Sequence, residues 1–360
     1  MLHSDTRIVL ACALVAVTAA GAAAAAPNNL RHAKILQAPM QGTLSQTVRA
    51  LSATIDGDDW IGYSVEARRG VQVSGGVWNN GPTVADLSRD EDGMTTRDFD
   101  DDEDGFEITR ELMILQRVNN GHVDRLRLFT DDCEVKASGT TVQWLGAVPS
   151  SESIELLAAY ASTTPSTKRQ REKLHSRAVS ALAMHADPEA VTAMEKMVDA
   201  QEDDELRGEI VFWVGGTDSP RTVDLLMRVI DDDPSEHVRE QAVFALSNND
   251  SPEATDALIA TARKNDDRDL RSKALFWLAQ KAGELAKETL RDAAVDDPDQ
   301  YVKEQAVFAL SQLPEDEGVP LLIDVARTNK NSKVREQAIF WLGQSDDPRA
   351  LTFFEEILSR

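Results

Sequence analysis

Cysteine is nearly absent: Cys12 and Cys133 are the only two in 360 residues. Cys12 falls in an N-terminal apolar stretch expected to be removed, which leaves Cys133 alone. The mature chain is then expected to form no intramolecular disulfide, and Cys133 reads as a buried thiol. Zinc spacing fails for the same want of cysteine. Cations are short as well: 38 Lys and Arg stand against 62 Asp and Glu, a formal net charge of −24. That field opposes nucleic acid and anionic lipid headgroups, and leaves solubility, a basic partner or divalent cations as its uses. Beyond the first 26 residues no apolar run approaches the ~20 residues of a membrane span. Six histidines occur (His3, His32, His122, His175, His185 and His237), none three or four residues from another and none followed by Glu. No Gly-rich phosphate loop or G-x-S-x-G elbow is present.

What is there begins with an export signal. Arg7 precedes an apolar run from Ile8 to Ala20, and small residues fill Gly21 to Ala26. This is the charge, apolar core and small-residue exit of a secretory signal peptide. Residues 1–26 are assigned to it, and the mature protein is expected to be periplasmic or secreted.

Phe212, Phe244, Phe276, Phe308 and Phe340 then recur every 32 residues. A fixed period of that length marks a stack of identical supersecondary units. Leu174, Leu206, Val238, Leu270, Val302 and Val334 form one column, with Ala178, Ile210, Ala242, Ala274, Ala306 and Ala338 four places on. Val179, Val211, Val243, Leu275, Val307 and Ile339 follow, then Leu182, Val214, Leu246, Leu278, Leu310 and Leu342. Apolar residues at i, i+4, i+5 and i+8 make one stripe along a helix, here helix A. The breaks after it hold Asp187-Pro188, Ser219-Pro220, Ser251-Pro252 and Asp347-Pro348, which suit a helix start. Helix B follows, with Met194, Leu226, Leu258, Leu290, Leu322 and Phe354 as its core column.

The lines VREQAVFALS (238–247), VKEQAVFALS (302–311) and VREQAIFWLG (334–343) resemble bacterial HEAT-like repeats. The resemblance covers residues 168–360, while WIGYSV (60–65) and the Cys133–Trp144 stretch look like the N-terminal regions of secreted bacterial HEAT-repeat proteins of unassigned activity. It implies about six stacked antiparallel helix pairs, an α-solenoid in which each unit buries its face against its neighbours. The residue after each Phe alternates as Trp213, Ala245, Trp277, Ala309 and Trp341, so the units read as duplicated in pairs. These rings are expected to fill inter-repeat space, with a ladder that grips a partner as the other reading. The iron-holding hydroxylases among HEAT proteins use repeated His-Glu pairs, which this chain lacks.

The chain is thus read as α+β with two domains, mainly α. Residues 27–44 are expected to be a linker, 45–148 a small β-rich domain, 149–167 a capping helix and linker, and 168–360 the solenoid. Asn119-Asn120-Gly121 between apolar runs predicts a hairpin. Residues 88–107 form an acidic low-complexity loop, in which Asp100, Asp102, Asp104, Gly105 and Glu111 satisfy D-x-D-x-D-G-x5-E. Those oxygens are candidate Ca²⁺ ligands, while a solvated loop is the plainer reading. Lys168, Arg169, Arg171, Lys173 and Arg177 cluster where the solenoid begins and are a candidate docking point for that loop.

The functional expectation is an exported, non-enzymatic scaffold that binds a protein or peptide through the solenoid surface, with no cofactor. Two alternatives stand beside it. One is a lyase-like or enzyme-accessory module, because some HEAT-like bacterial proteins attach bilin chromophores to antenna proteins. The other is a Ca²⁺-dependent adhesion protein using residues 100–111.

Overall fold

The computed structural model describes residues 27–55, 57–68, 71–75, 84–87, 94–98, 110–217, 221–281 and 283–359. The first strands are β1 (Leu30–Arg31) and β2 (Lys34–Gln37), followed by helix α1 (Leu44–Ser52). Next come β3 (Trp60–Glu66), β4 (Val71–Gly75), β5 (Val84–Asp86) and β6 (Met94–Asp98). Strands β7 (Glu111–Asn119), β8 (His122–Thr130), β9 (Glu134–Lys136) and β10 (Thr141–Ala147) complete the set. The main sheet has five strands in the order β2-β10-β3-β7-β8; a three-stranded sheet runs β1-β9-β5, and β4 pairs with β6.

Two expectations are corrected here. Residues 27–44 are not a linker, because they supply β1 and β2. Both pair in parallel with distant strands, Leu30 with Val135 and Ile35 with Val142, so no local turn announces them. The 88–107 segment is not wholly a loop either: Met94–Asp98 is a strand, antiparallel to β4. The backbone groups of Met94-Thr95-Thr96-Arg97 complete a ladder inside an otherwise acidic tract. Glu111–Val118, which contains good helix formers, is a strand held between β3 and β8. The expected hairpin forms, with Asn120 at φ 51° and Gly121 at φ 75° joining β7 to β8.

Alternation sorts the main sheet into two faces. Trp60, Met113, Leu115, Phe129, Val142 and Trp144 pack with Leu30, Ala85, Cys133 and Val135 in a core of their own. Gly62 permits that packing, since a Cβ there would lie 2.7 Å from Leu115 and 2.8 Å from Trp144. On the other face Ile61, Tyr63, Val65, Leu112, Ile114, Leu126 and Leu128 join a core that continues without a break through the repeats. Helix α2 (Ser150–Ala161) lies in between and packs on the first repeat pair.

The solenoid opens with a helical turn, α3 (Lys168–Gln170), and a π-helical turn over Arg171–His175. Six A helices follow: α4 (Ser176–Ala183), α6 (Asp204–Gly215), α8 (Glu236–Asn248), α10 (Arg268–Gln280), α12 (Gln300–Ser311) and α14 (Ser332–Leu342). The B helices are α5 (Glu189–Ala200), α7 (Thr222–Asp232), α9 (Pro252–Lys264), α11 (Glu284–Asp296), α13 (Glu315–Thr328) and α15 (Pro348–Leu358). The small column is fully buried from Ala178 to Ala338. A helices approach closely, and a Cβ on Gly215 would lie 2.4 Å from that of Ala245. Ser251 and Asp347 cap B helices whose first residue is Pro, as the breaks predict. Pro188 instead occupies the cap position itself, and Ser219-Pro220 falls outside the described residues.

The linkers between pairs are hydrogen-bonded devices. Gln201, Asp233, Asn265, Asp297 and Asn329, again 32 residues apart, each accept from the backbone N–H two places on at 2.8–3.0 Å. That next position caps the A helix, with side-chain bonds from Asp203, Asp267, Asp299 and Asn331. Arginines one turn inside the helices clamp successive linkers. Arg207 donates to the Gln201 carbonyl at 2.8 Å and to both Asp233 oxygens at 2.8 and 3.0 Å. Arg271 does the same with Asn265 at 2.9 Å and Asp297 at 3.0 Å twice.

Candidate binding surface

The apolar stripe of each A helix faces the core, and Phe and Trp sit at its edge. In α6, Leu206, Ile210, Val211 and Val214 are buried, whereas Phe212 and Trp213 are half-buried. The tryptophans lean on the core; the phenylalanines lie further out, and Phe340 is 55% exposed. The rings touch across repeats. Phe212 stacks on Phe244 at 5.7 Å and 12°, and Phe276 on Phe308 at 6.5 Å and 10°. Trp277 joins Phe244 at 4.6 Å to Phe276 at 5.0 Å, and Trp341 joins Phe308 at 5.3 Å to Phe340 at 5.1 Å. With Trp213 on Phe212 at 5.3 Å, eight rings form one unbroken ribbon.

The pairwise duplication has a packing reason. Ala245 and Ala309 are fully buried where Trp would stand. Their small size lets the Trp of the next repeat settle against the preceding Phe. Each 64-residue unit thus contributes a Trp–Phe–Phe set. The rings do fill inter-repeat space, but they do so at the surface.

Carboxylates flank the ribbon one helical turn earlier: Glu209, Glu240, Glu304 and Glu336. Burial pushes the Glu209 carboxyl up, opposed by hydrogen bonds from Ser176 and Trp213 and by Arg177. Lys273 is engaged with Glu240 at 2.9 Å. On the same helices the Arg268 guanidinium lies 5.4 Å from the Tyr301 ring centre. The B helices expose a different chemistry. Arg228–Asp199, Arg263–Asp292, Arg291–Asp324 and Arg327–Glu356 pair across neighbouring repeats.

Of the candidate Ca²⁺ ligands, Asp100, Asp102 and Asp104 lie outside the described residues. Glu111 opens strand β7 opposite Glu66. Among the described residues no group of three His, Cys, Asp or Glu is placed to hold a metal ion. Cys133 is buried, as expected.

The basic cluster lies at the seam between sheet and solenoid. Arg171 pairs with Asp203 at 2.9 Å, and Lys168 with Glu172 at 3.7 Å. Burial, then the charges of Arg127, Arg169 and Arg177, holds Arg125 below the usual arginine range. Its expected docking partner, apart from β6, lies outside the described residues.

Nearby, Tyr63 Oη, Ser153 Oγ and His185 Nε2 form a buried chain with links of 3.1 and 3.0 Å. Burial pushes the His185 imidazole down to about 4. Ser153 is 0% and His185 4% exposed, so this Ser–His contact is closed to any substrate. It serves the domain junction, where Arg68 N–H donates to Met184 O at 2.8 Å and Ala186 N–H to Glu66 O at 3.1 Å.

No helix among the described residues is long and apolar enough to cross a membrane. The family described as HEAT repeats matches residues 198–279 and 288–360. No curated protein matches the chain. Among solved structures, human deoxyhypusine hydroxylase in complex with glycerol is 18% identical, covering 56% of this chain and 88% of its own with a TM-score of 0.27. YibA of Escherichia coli is 16% identical over 58% of this chain and 76% of its own, with a TM-score of 0.35. The complex of CpcE and CpcF of phycocyanin lyase from Nostoc sp. is 20% identical over 54% and 98%, with a TM-score of 0.26. At these identities and scores the likeness says nothing of activity.

Proposed function

We propose that this chain, of which residues 198–279 and 288–360 match HEAT repeats, is an exported, non-enzymatic scaffold holding a protein or peptide segment against the A-helix surface. The ribbon of eight part-exposed rings carries the reading. Aromatic side chains offer large contact area at low entropic cost, the quality that binding surfaces use most. The B-helix surface spends its long side chains on pairs with its own neighbours. The apolar run Ile8 to Ala20 supports export.

Selection of displayed random peptides against the protein tests this. Enriched peptides should lose binding to the Phe308→Ala variant and keep it with the B-helix variant Arg291→Ala. Equal loss in both variants, or no enrichment, rejects the A-helix surface as the docking face.

A further inference from the structure

The flanking groups point to the chemistry of the partner. Resting on the proposed docking face, we propose that the segment it takes is extended and arginine-rich.

Three observations meet at the ribbon. The faces of aromatic rings carry negative charge density and attract cations, most strongly where water is thinned. Glu304 and Glu336 stand four residues before Phe308 and Phe340, so carboxylate and ring share one helix face. Glu304 is half-buried and accepts from Gln300 at 2.8 Å, while Glu336 is exposed. A cation arriving over the exposed Phe340 ring therefore meets the Glu336 carboxylate one turn away on the same helix, with Glu304 on the neighbouring one. The surface already holds one such contact internally, the guanidinium of Arg268 over Tyr301 at 5.4 Å.

Arginine suits this arrangement better than lysine. Its planar guanidinium stacks on a ring while its N–H fork engages a carboxylate, and it sheds water more readily than an ammonium. An extended chain fits because the rings run from repeat to repeat. The net charge of −24 adds long-range attraction, which steers a cationic segment toward the protein. That field alone would favour no particular face; the ring and carboxylate pairs supply the preference.

The test titrates the full protein with synthetic oligoarginine, oligolysine and oligoglutamate peptides of equal length, reading calorimetry and tryptophan fluorescence. Oligoarginine should bind most tightly, quench or shift the ribbon tryptophans, and weaken as salt rises. Glu304→Gln with Glu336→Gln should weaken it by roughly tenfold, and Phe340→Ala by roughly threefold. The B-helix pair Asp292→Asn with Asp324→Asn removes the same charge and should leave affinity within about twofold. Equal weakening by both double variants would mean a diffuse charge effect and overturn the proposal. Binding of oligoglutamate as tight as oligoarginine, lost in Phe308→Ala, would overturn the arginine chemistry while leaving the docking face intact. Displayed peptides that compete at the ribbon but lack arginine would do the same.

Discussion

The two helix layers of the solenoid are built from the same repeat and end up with opposite surfaces. On the A layer, buried arginines clamp one linker to the next, as Arg271 does between Asn265 and Asp297, and the rings are left facing outward. On the B layer, the long cations lie in the open and pair with carboxylates of the neighbouring helix, as Arg228 does with Asp199. Both layers carry Arg–Asp pairs at similar distances, so distance does not separate them. Burial does: Arg271 and Asp297 are buried, whereas Arg228 and Asp199 are exposed. The contrast teaches that the buried charge pairs between repeats reside in the A layer, and that the A layer also carries the continuous ribbon of part-exposed rings.

The largest effect expected from that contrast is at Arg271. Arg271→Ala leaves Asp297 buried with only the Asp299 N–H as donor, the two guanidinium bonds gone, and also strips a bond from the Asn265 carbonyl. A loss of ~3 to 5 kcal/mol is expected in denaturant unfolding. A loss under ~1 kcal/mol would place this pair with the surface pairs of the B layer and break the comparison.

Trp277→Ala comes next. The ring bridges Phe244 and Phe276 and leans on the core, so truncation opens a gap in the middle of the ribbon. A cost of ~3 kcal/mol is expected, the lower end for an aromatic because the site is half-buried. Unchanged stability would show that the rings are held only for a partner.

How much of this could be read from the chain follows from what is local. The 32-residue period, the A and B columns and the Asn-Gly hairpin need only neighbours in sequence, and all are legible. The column of Arg207, Arg239, Arg271, Lys303 and Arg335 is just as regular. Attention to apolar positions passes over it, and the acidic linkers then look like solvation when they are caps and clamps. Strands β1 and β2 are not legible, since their partners are β9 and β10 across the whole domain. The Trp–Ala alternation is visible in sequence, but the stacking it permits depends on how closely Gly215 lets the A helices approach.

The A layer begins at a buried polar junction, and pH tests how firmly it is anchored. His185 is held neutral, with its imidazole pushed from 6.5 down to about 4 by burial. The unfolded chain therefore takes up the proton first. The stability contributed by neutral His185 is full above about pH 6.5, falls as pH drops, and is gone below about pH 4. Relative to pH 7, ~2 kcal/mol should be lost by pH 5 from this group. His175, which burial also lowers, titrates beside it. The difference between the protein and a His185→Gln variant therefore isolates the contribution: the variant should show the shallower slope. Identical slopes would mean that water reaches the junction.

The smallest expected effect closes the contrast from the B side. Arg228→Ala removes an ion pair whose partners are both about half-exposed, the guanidinium 49% and the Asp199 carboxylate 59%. Water already solvates both charges, and salt screens what attraction remains, so no buried charge is stranded when the arginine goes. Unfolding stability should change by less than ~1 kcal/mol, and the change should vanish in molar salt. The comparison with Arg271→Ala is then direct, because the two substitutions delete the same group from the same kind of contact in one repeat protein. If Arg228→Ala cost as much as Arg271→Ala, the exposed pairs would be acting as a cooperative network along the B layer. The stability between repeats would then be shared by both layers, and burial would no longer be what distinguishes them.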